Sequence, residues 1–546
     1  MPVRRRSGRV VETRRLGPAG VVLAAALIVP LLGSGCGSSS PTWPTSPRPA
    51  APGAGGGSGQ PVGSMTRGPY LQHAETGITV VWYTDVPTEG RVRWLVNEET
   101  SGEALSSAGL ASRHEAVISP LVPGARYAYQ VYSPRGLLAA AGGAIDFSFR
   151  APDPEVLRLV AFGDSGLGSP EQYAVATAIG AETVAPDLAL IVGDVIYPPA
   201  DDASYDPRFF APYRALLPAI PFYAALGNHD YEVEAGKPYF DVFTLPRNGP
   251  SGLVPESSYW LERAGVQMIV HDTSRSPATL LAESVPWHTE VARRPATFRL
   301  VFQHHSMYSS GPSYQQYPAG VLRSLLAPVY TATGVDVVFN GHDHLYERTR
   351  PIEGVVYVTT GAGGAELYAR HHRNSFTAAF VNDRHSYTHV EVRGRTLLLR
   401  QTDAEGQEID ALEITKVVVA SDTLRAFADA GSPPRGWEEA GFDDTSWPEA
   451  GRRGFASVLR ARRGFDVARP GEVSEAILRV RGARDFVARL NGVAVARGNG
   501  EPEAAFPVPL ALLRRGANVL ALEGYVEATE GVAPSLELSL ISSPAR

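Results

Sequence analysis

Between residues 65 and 151 apolar and polar positions alternate over short runs: Ile78-Thr79-Val80-Val81-Trp82-Tyr83, Val92-Arg93-Trp94-Leu95-Val96 and Tyr127-Ala128-Tyr129-Gln130-Val131. Turn residues such as Pro123-Gly124 separate them and no long helical period intervenes. The pattern predicts a small antiparallel sandwich. It contains no titratable cluster, so its expected role is packing. From residue 155 to 417 the repeating unit is a continuous apolar run that ends in polar residues. Leu157 to Phe162 meets Gly163-Asp164-Ser165-Gly166, Leu188 to Val192 meets Gly193-Asp194-Val195-Ile196-Tyr197, and Phe222 to Leu226 meets Gly227-Asn228-His229-Asp230. Leu300 to Phe302 then meets Gln303-His304-His305, and Val335 to Phe339 meets Asn340-Gly341-His342-Asp343-His344. Helical stretches such as Glu171 to Val184 lie between the early runs. Apolar on both faces, such strands predict a sheet covered by helices, with functional groups beyond the strands' carboxyl ends. Past residue 420 the pattern returns to strands, Ala476 to Val480 and Val487 to Leu490, with Asn491-Gly492 a hairpin turn before Val493 to Ala496.

The first 36 residues read as an export signal: arginines at 4, 5, 6, 9, 14 and 15, an apolar run from Gly20 to Leu32, then small residues before Cys36. The apolar run is too short for a transmembrane helix. Leu32-Gly33-Ser34-Gly35-Cys36 resembles a bacterial lipoprotein cleavage box, which implies an exported cell-envelope lipoprotein held to the membrane through acylated Cys36. Leu32 stands four residues before the cysteine where three is usual, so cleavage without a lipid, giving a periplasmic or secreted protein, stays open. Arg14-Arg15 fits twin-arginine export or an ordinary basic n-region. Residues 37 to 64 are almost wholly Ser, Pro, Gly and Ala and predict a disordered tether.

Over 546 residues, 44% hydrophobic and 20% charged, the composition is that of a globular chain with room for roughly three domains. A net charge of -7, from 50 basic and 57 acidic residues, gives no footprint for nucleic acid, and that class is set aside. The single cysteine, Cys36, excludes disulfides within the chain and Cys-based zinc knuckles. A metal site must then draw on His, Asp, Glu, Asn or Tyr, and thirteen histidines are present.

Taken singly, each polar block is weak: a Gly-Asp pair after a strand is commonly a turn, and His342-x-His344 alone is commonly a solvated pair. Five such blocks at strand ends, all built from oxygen and imidazole donors, point instead to iron, manganese or zinc. Two such metals about 3.5 to 4 Å apart can clamp the attacking and leaving oxygens of a phosphoryl displacement.

The series Asp164-x-Gly166, Gly193-Asp194-x-x-Tyr197, Gly227-Asn228-His229-Asp230, Val301-x-x-His304 and Gly341-His342-x-His344 resembles the five-block signature of the calcineurin-like metallophosphoesterases, and Tyr197 narrows the likeness to purple acid phosphatases. Arg67-Gly68-Pro69-Tyr70-Leu71-Gln72, Val80-Val81-Trp82, Tyr346-Glu347-Arg348 and Gly361-Ala362-Gly363-Gly364 extend it. The resemblance implies a multidomain chain: signal (1–36), linker (37–64), an N-terminal antiparallel β-sandwich, fibronectin-III-like (65–151), and a central α/β metallophosphoesterase sandwich (155–417). A C-terminal β-sandwich follows (420–546), where Trp437 to Trp447 resembles the opening of galactose-binding-like jelly rolls. Packing is the expected role of that last region, with carbohydrate contact the alternative. Since every ligand candidate precedes residue 420, it is expected to be dispensable for the chemistry.

Carried over residue by residue, the resemblance implies two metal ions. Asp164, Asp194, Tyr197 and His344 would surround Fe3+; Asn228, His304 and His342 would hold a divalent ion, Fe2+, Zn2+ or Mn2+; Asp194 would bridge them. A phenolate and two carboxylates favour a trivalent ion, whereas an amide and two imidazoles leave the second ion divalent. His305 adjoins the ligand His304 but should point the other way along an extended segment. His229 is expected to bind substrate and protonate the leaving oxygen, with Asp230 orienting it. Ser309 to Gly320 holds no histidine, which leaves Tyr308, Tyr314 and Tyr317 as the polar candidates beside the fourth block. The implied reaction is hydrolysis of a small phosphomonoester by metal-bound hydroxide. A phosphodiesterase or nucleotidase on the same scaffold, or an inactive surface-binding protein, are the alternatives.

Overall fold

The computed structural model describes residues 64–419, 425–427, 434–445, 459–481, 485–499, 503–524 and 535–542. The export signal, Cys36 and nearly all of the linker lie outside these, as does Trp447.

In the N-terminal region Met65–Ala74, Gly77–Thr88 and Ala111–Ile118 form one antiparallel sheet. Arg91–Val96, Thr100–Leu105, Arg126–Ser133, Gly136–Leu137 and Phe147–Arg150 form a second. The alternation read from the sequence sends Val80, Trp82, Val92, Tyr127, Tyr129 and Phe149 into a shared core.

The central region is built on two mixed sheets. In the first, Phe222–Ala225, Leu188–Val192 and Val156–Phe162 run parallel, and Ser386–Arg393, Thr396–Asp403 and Glu408–Val419 continue antiparallel. The second aligns Val266–His271, Phe298–Gln303, Val337–Asn340 and Val356–Thr360 in parallel. Successive side chains point to opposite faces of a strand. Met268 and Val270 accordingly join Leu157 and Leu159 between the sheets, and Phe162, on the other face of its strand, packs on Tyr213; Ile269 packs outward with Leu322, Leu326 and Tyr330 of the helix Ala319–Ala332. The helix Pro170–Gly180 lies against the first sheet, its N-terminus capped by Ser169. It ends at Gly180 and not Val184, where Ala181 closes the last turn onto Thr177 and Ala178.

The C-terminal region is not separate from the first sheet. Its strand Ser535–Ser542 pairs with Glu408–Val419 on one side and Val473–Arg481 on the other. The β-sandwich expected over 420–546 therefore takes one layer from a sheet that begins in the central region; the other layer includes Leu459–Val467, Gly516–Gly524 and Asp485–Leu490. Leu478, Leu538, Leu520 and Phe486 fill the space between. Alternating patterns specify which face of a strand is buried, not which strand it joins, so the shared sheet left no mark in the pattern. At the junction buried Asp336 meets Lys416 at 2.8 Å and Arg479 at 2.9 Å. Asn491 and Gly492 have φ of 51° and 82°, the left-handed pair that a tight hairpin requires.

Candidate metal centre

Each polar block follows the end of a strand. Asp164, Asp194 and Asn228 come from three parallel strands of the first sheet; His304, His342 and His344 come from two of the second. One backbone bond joins the two sheets, Gly163 N–H to the Thr360 carbonyl at 3.0 Å, and another ties two loops of the second sheet, Gly341 N–H to the His304 carbonyl at 2.9 Å. Asp164, Asp194 and His342 adopt left-handed backbone with φ of 56°, 49° and 68°. Non-glycine residues are uncommon there, and such strain gathers at functional sites. A Cβ at Gly227 would lie 2.0 Å from an Asp194 oxygen, and one at Gly361 would lie 2.7 Å from an Asp164 oxygen. Glycine is thus needed for the carboxylates to sit where they do.

The side chains converge in two groups. Tyr197 Oη lies 2.9 Å from His344 Nε2 and 3.3 Å from Asp164 Oδ1. In the second group Asn228 Oδ1 is 3.0 Å from both His304 Nε2 and His342 Nδ1. Asp194 connects them: its Oδ2 is 3.3 Å from His304 Nε2, and ligand atoms of Asp164, Asp194 and His304 all fall within 4.8 Å of one another. Backbone carbonyls set two tautomers. His304 Nδ1 faces the Val192 carbonyl at 3.0 Å and His344 Nδ1 faces the Glu366 carbonyl at 2.8 Å. A carbonyl only accepts, so each Nδ1 carries the proton and each Nε2 turns inward.

Charge in this crowd is held by protons when no cation is bound. Burial raises the Asp164 carboxyl well above the usual range, and burial with the Asp164 and Asp194 charges raises the Tyr197 phenol. Burial works against ionised Asp194, yet the neighbouring His304 outweighs it and holds the group well below the usual range. The same pair raises His304 to about 10 against its own burial, whereas burial lowers His342 to about 3 and His344 to about 4. Carboxylates, a phenol, an amide oxygen and inward imidazole nitrogens, neutralised among themselves by shared protons, are a donor set that fits metal cations, which would displace those protons.

His229 sits at the opening. Its backbone N–H donates to Asp194 Oδ1 at 3.0 Å, and its ring centre is 4.8 Å from that of Tyr197. The expected orienting role of Asp230 is not what its geometry provides. Asp230 is buried and accepts from the backbone N–H groups of Val195, Ile196 and Gly227 at 3.0, 3.4 and 2.8 Å. It ties the Asp194 loop to the Asn228 loop. The physical reason is the short 3-10 turn His229–Tyr231, in which consecutive side chains diverge. The residue that meets His229 is Glu232, with Oε1 at 2.6 Å from Nδ1. Spacing of three within a tight turn is the signal that could have found it.

Tyr368 was also missed: its ring stacks on His344 with centres 4.0 Å apart and planes 15° apart. His305 accepts the place expected of it only in part, since Nδ1 meets Thr273 Oγ1 at 2.9 Å while its ring stays 4.7 Å from that of His342. Of the tyrosines after the fourth block, Tyr308 packs on Tyr357, Tyr314 on Phe376 and His372, and Tyr317 is exposed. Histidines do reach this neighbourhood, from later in the chain: the His371 and His372 amides both donate to the Ser310 carbonyl.

Residues 157–346 match the calcineurin-like phosphoesterase family, so the chain carries a domain of that kind. Its curated homologues include purple acid phosphatase 21 of Arabidopsis thaliana, 26% identical over 293 residues, which span 49% of this chain and 63% of that one. Purple acid phosphatase 4 of the same plant is 24% identical over 302 residues, 49% of this chain and 86% of its own length. "Probable inactive purple acid phosphatase 27" is 23% identical over 313 residues, 46% of this chain and 49% of that one. Among solved structures, purple acid phosphatase PPD1 from yellow lupin (Lupinus luteus) seeds superposes with a TM-score of 0.55 at 20% identity, covering 63% of this chain and 73% of that one. That likeness concerns the fold.

Proposed function

We propose that the chain is a binuclear-metal phosphoric ester hydrolase acting on small phosphomonoesters, in the manner of an acid phosphatase. The reading rests on one observation: donors from five strand ends meet as Asp164, Tyr197 and His344 on one side of Asp194 and as Asn228, His304 and His342 on the other. The homologous purple acid phosphatases support it.

Two bound ions, Fe3+ with Fe2+, Zn2+ or Mn2+, would supply Lewis-acid charge and acidify water towards neutrality. Asp164, Tyr197 and His344 would hold the first ion, Asn228, His304 and His342 the second, and Asp194 both. The chain's own part is positioning and proton handling. His229, half-exposed at the opening and bonded through Nδ1 to Glu232, keeps Nε2 free to bind a phosphoryl oxygen and deliver a proton to the leaving group. Asp230 holds the loops of Asp194 and Asn228 in register. The same proposal places the protein outside the cytoplasm, anchored through Cys36, because residues 1–36 carry basic, apolar and small-residue segments in export order.

Metal analysis with a substrate panel tests the activity. Two metals per chain and faster hydrolysis of a monoester than of a diester with the same leaving group are expected. Preference for the diester would move the assignment to a phosphodiesterase, and a metal-loaded chain inert towards both would leave a binding protein.

A further inference from the structure

Tyr197 is carried on a loop whose placement is shared with the N-terminal sandwich. Arg67, in that sandwich's first strand, reaches into the segment Asp202–Phe210 and spends its whole planar fork on it. Nε donates to Asp206 Oδ1 at 2.6 Å and Nη1 to Asp202 Oδ1 at 2.6 Å. Nη2 donates to the Asp202 carbonyl at 2.8 Å and to Asp202 Oδ2 and Asp206 Oδ2 at 3.1 Å each. The arginine side chain is 9% exposed although its two partners are 63% and 55% exposed. Its guanidinium lies between the rings of Tyr83, from the sandwich, and Phe210, from the segment. Flat, multidentate, stacked recognition of this kind uses geometry that lysine lacks.

The segment reaches back to the site. Arg208 Nη1 donates to the carbonyl of Tyr197 at 2.5 Å and to that of Pro198 at 2.7 Å. Tyr197 in turn offers its hydroxyl to His344 and Asp164. Tyr205 and Phe209 bury the inner side of the segment. The apolar contacts hold it against the core; the two arginines set where along the core it rests.

We propose that Arg67 is a positioning residue for Tyr197, acting through Asp202, Asp206 and Arg208, so that the N-terminal sandwich helps set the geometry of the metal centre. The importance of Tyr197 rests on the proposed function; the clamp itself does not. Full-length protein with Arg67→Gln, Arg67→Lys and the double variant Asp202→Asn/Asp206→Asn tests it, with Arg93→Gln, which breaks the Arg93–Glu103 pair elsewhere in the sandwich, as control. Backbone hydrogen exchange is read first, since it needs no metal. Arg67→Gln should speed exchange across residues 197–211 roughly tenfold, leave the strands Arg91–Val96 and Arg126–Ser133 unchanged, and be only partly relieved by lysine. The double aspartate variant should reproduce the effect, and combining it with Arg67→Gln should add nothing. It also serves alone if Arg67→Gln does not fold. In iron-loaded protein the same variants should shift or broaden the visible band of the tyrosinate. Unchanged exchange over 197–211, or an increase spread equally through the sandwich as in Arg93→Gln, would overturn the clamp. A wild type with no visible band would count against iron ligation by Tyr197 and leave the exchange result to decide on Arg67.

Discussion

His229 Nδ1 and Glu232 Oε1 stand 2.6 Å apart, one 3-10 turn from each other, at the mouth of the cluster. A carboxylate on Nδ1 fixes that nitrogen as the donor and turns Nε2 outward, as a general acid needs. Replacing His229 by Ala should lower kcat by about 10² to 10⁴ for an ester with a poor leaving group and by less for a good one, which needs no proton. Glu232→Ala should follow the same leaving-group dependence at a loss of about 10-fold or more. Equal losses for both leaving groups would separate this pair from proton delivery.

Asp230 predicts a different phenotype. Burial and the Asp194 charge raise its carboxyl to about 8, and its oxygens are taken up by three backbone N–H groups. Asp230→Ala leaves those donors buried without partners, at a cost of about 1 to 3 kcal/mol each where water does not enter. The expected result is weaker metal retention and a lower melting temperature, with residual activity of the loaded fraction near that of wild type. Dialysis against a chelator followed by metal counting checks it. Full metal retention with lost turnover would restore a direct role in the reaction.

The strand ends, and the meeting beyond them of Asp164, Asp194, Tyr197, Asn228, His304, His342 and His344, were legible in the sequence because each belongs to a short contiguous block after an apolar run. What escaped depends on distance or direction. Tyr368 arrives from a loop after the last block, and Glu232 is recognisable only once His229–Tyr231 is known to be a tight turn. Asp230 was misread because proximity in sequence to His229 says nothing of direction in a 3-10 turn. The junction of Glu408–Val419 with Ser535–Ser542 is set by strand order, which alternation does not encode.

Residues 420–546 are expected to be dispensable for the chemistry, but that junction makes them matter for the stability of the chain. Deletion would leave Glu408–Val419 as an open edge and take Arg479 from Asp336. The truncated chain should aggregate or melt well below the full one, even though none of the proposed metal ligands is removed. Arg479→Met should lower stability by roughly 3 kcal/mol, the remaining partner Lys416 limiting the loss. Urea unfolding measures it, and a change under about 0.5 kcal/mol would show that the junction contributes little.

Metal-free protein should become less stable as pH rises above neutrality. The folded pKa of His304, about 10, lies above the unfolded value of 6.5, so its contribution is complete below pH 6.5 and is lost as pH climbs through about 10. Asp230, at about 8 against 3.8 unfolded, works in the same direction as pH rises from about 4 to 8. His342 and His344, lowered to about 3 and 4, act oppositely below pH 6.5. Melting temperature should therefore peak on the acid side of neutrality and fall by pH 9, and metal loading should flatten the fall because the ions replace the protons. A metal-free melting curve that rises from pH 7 to 9 would contradict the charge balance described for the site.

Tyr197 carries the central claim, since its hydroxyl meets both His344 and Asp164 inside the donor cluster. The most direct measurement is a ferric iron titration of wild type and Tyr197→Phe, followed by visible absorption with metal content counted at the end point. The account predicts a tyrosinate-to-iron band that grows to saturation in wild type and is absent in Tyr197→Phe, with two metals per wild-type chain and weaker iron retention in the variant. A saturated, active wild type without the band, or a band that survives Tyr197→Phe, would contradict it.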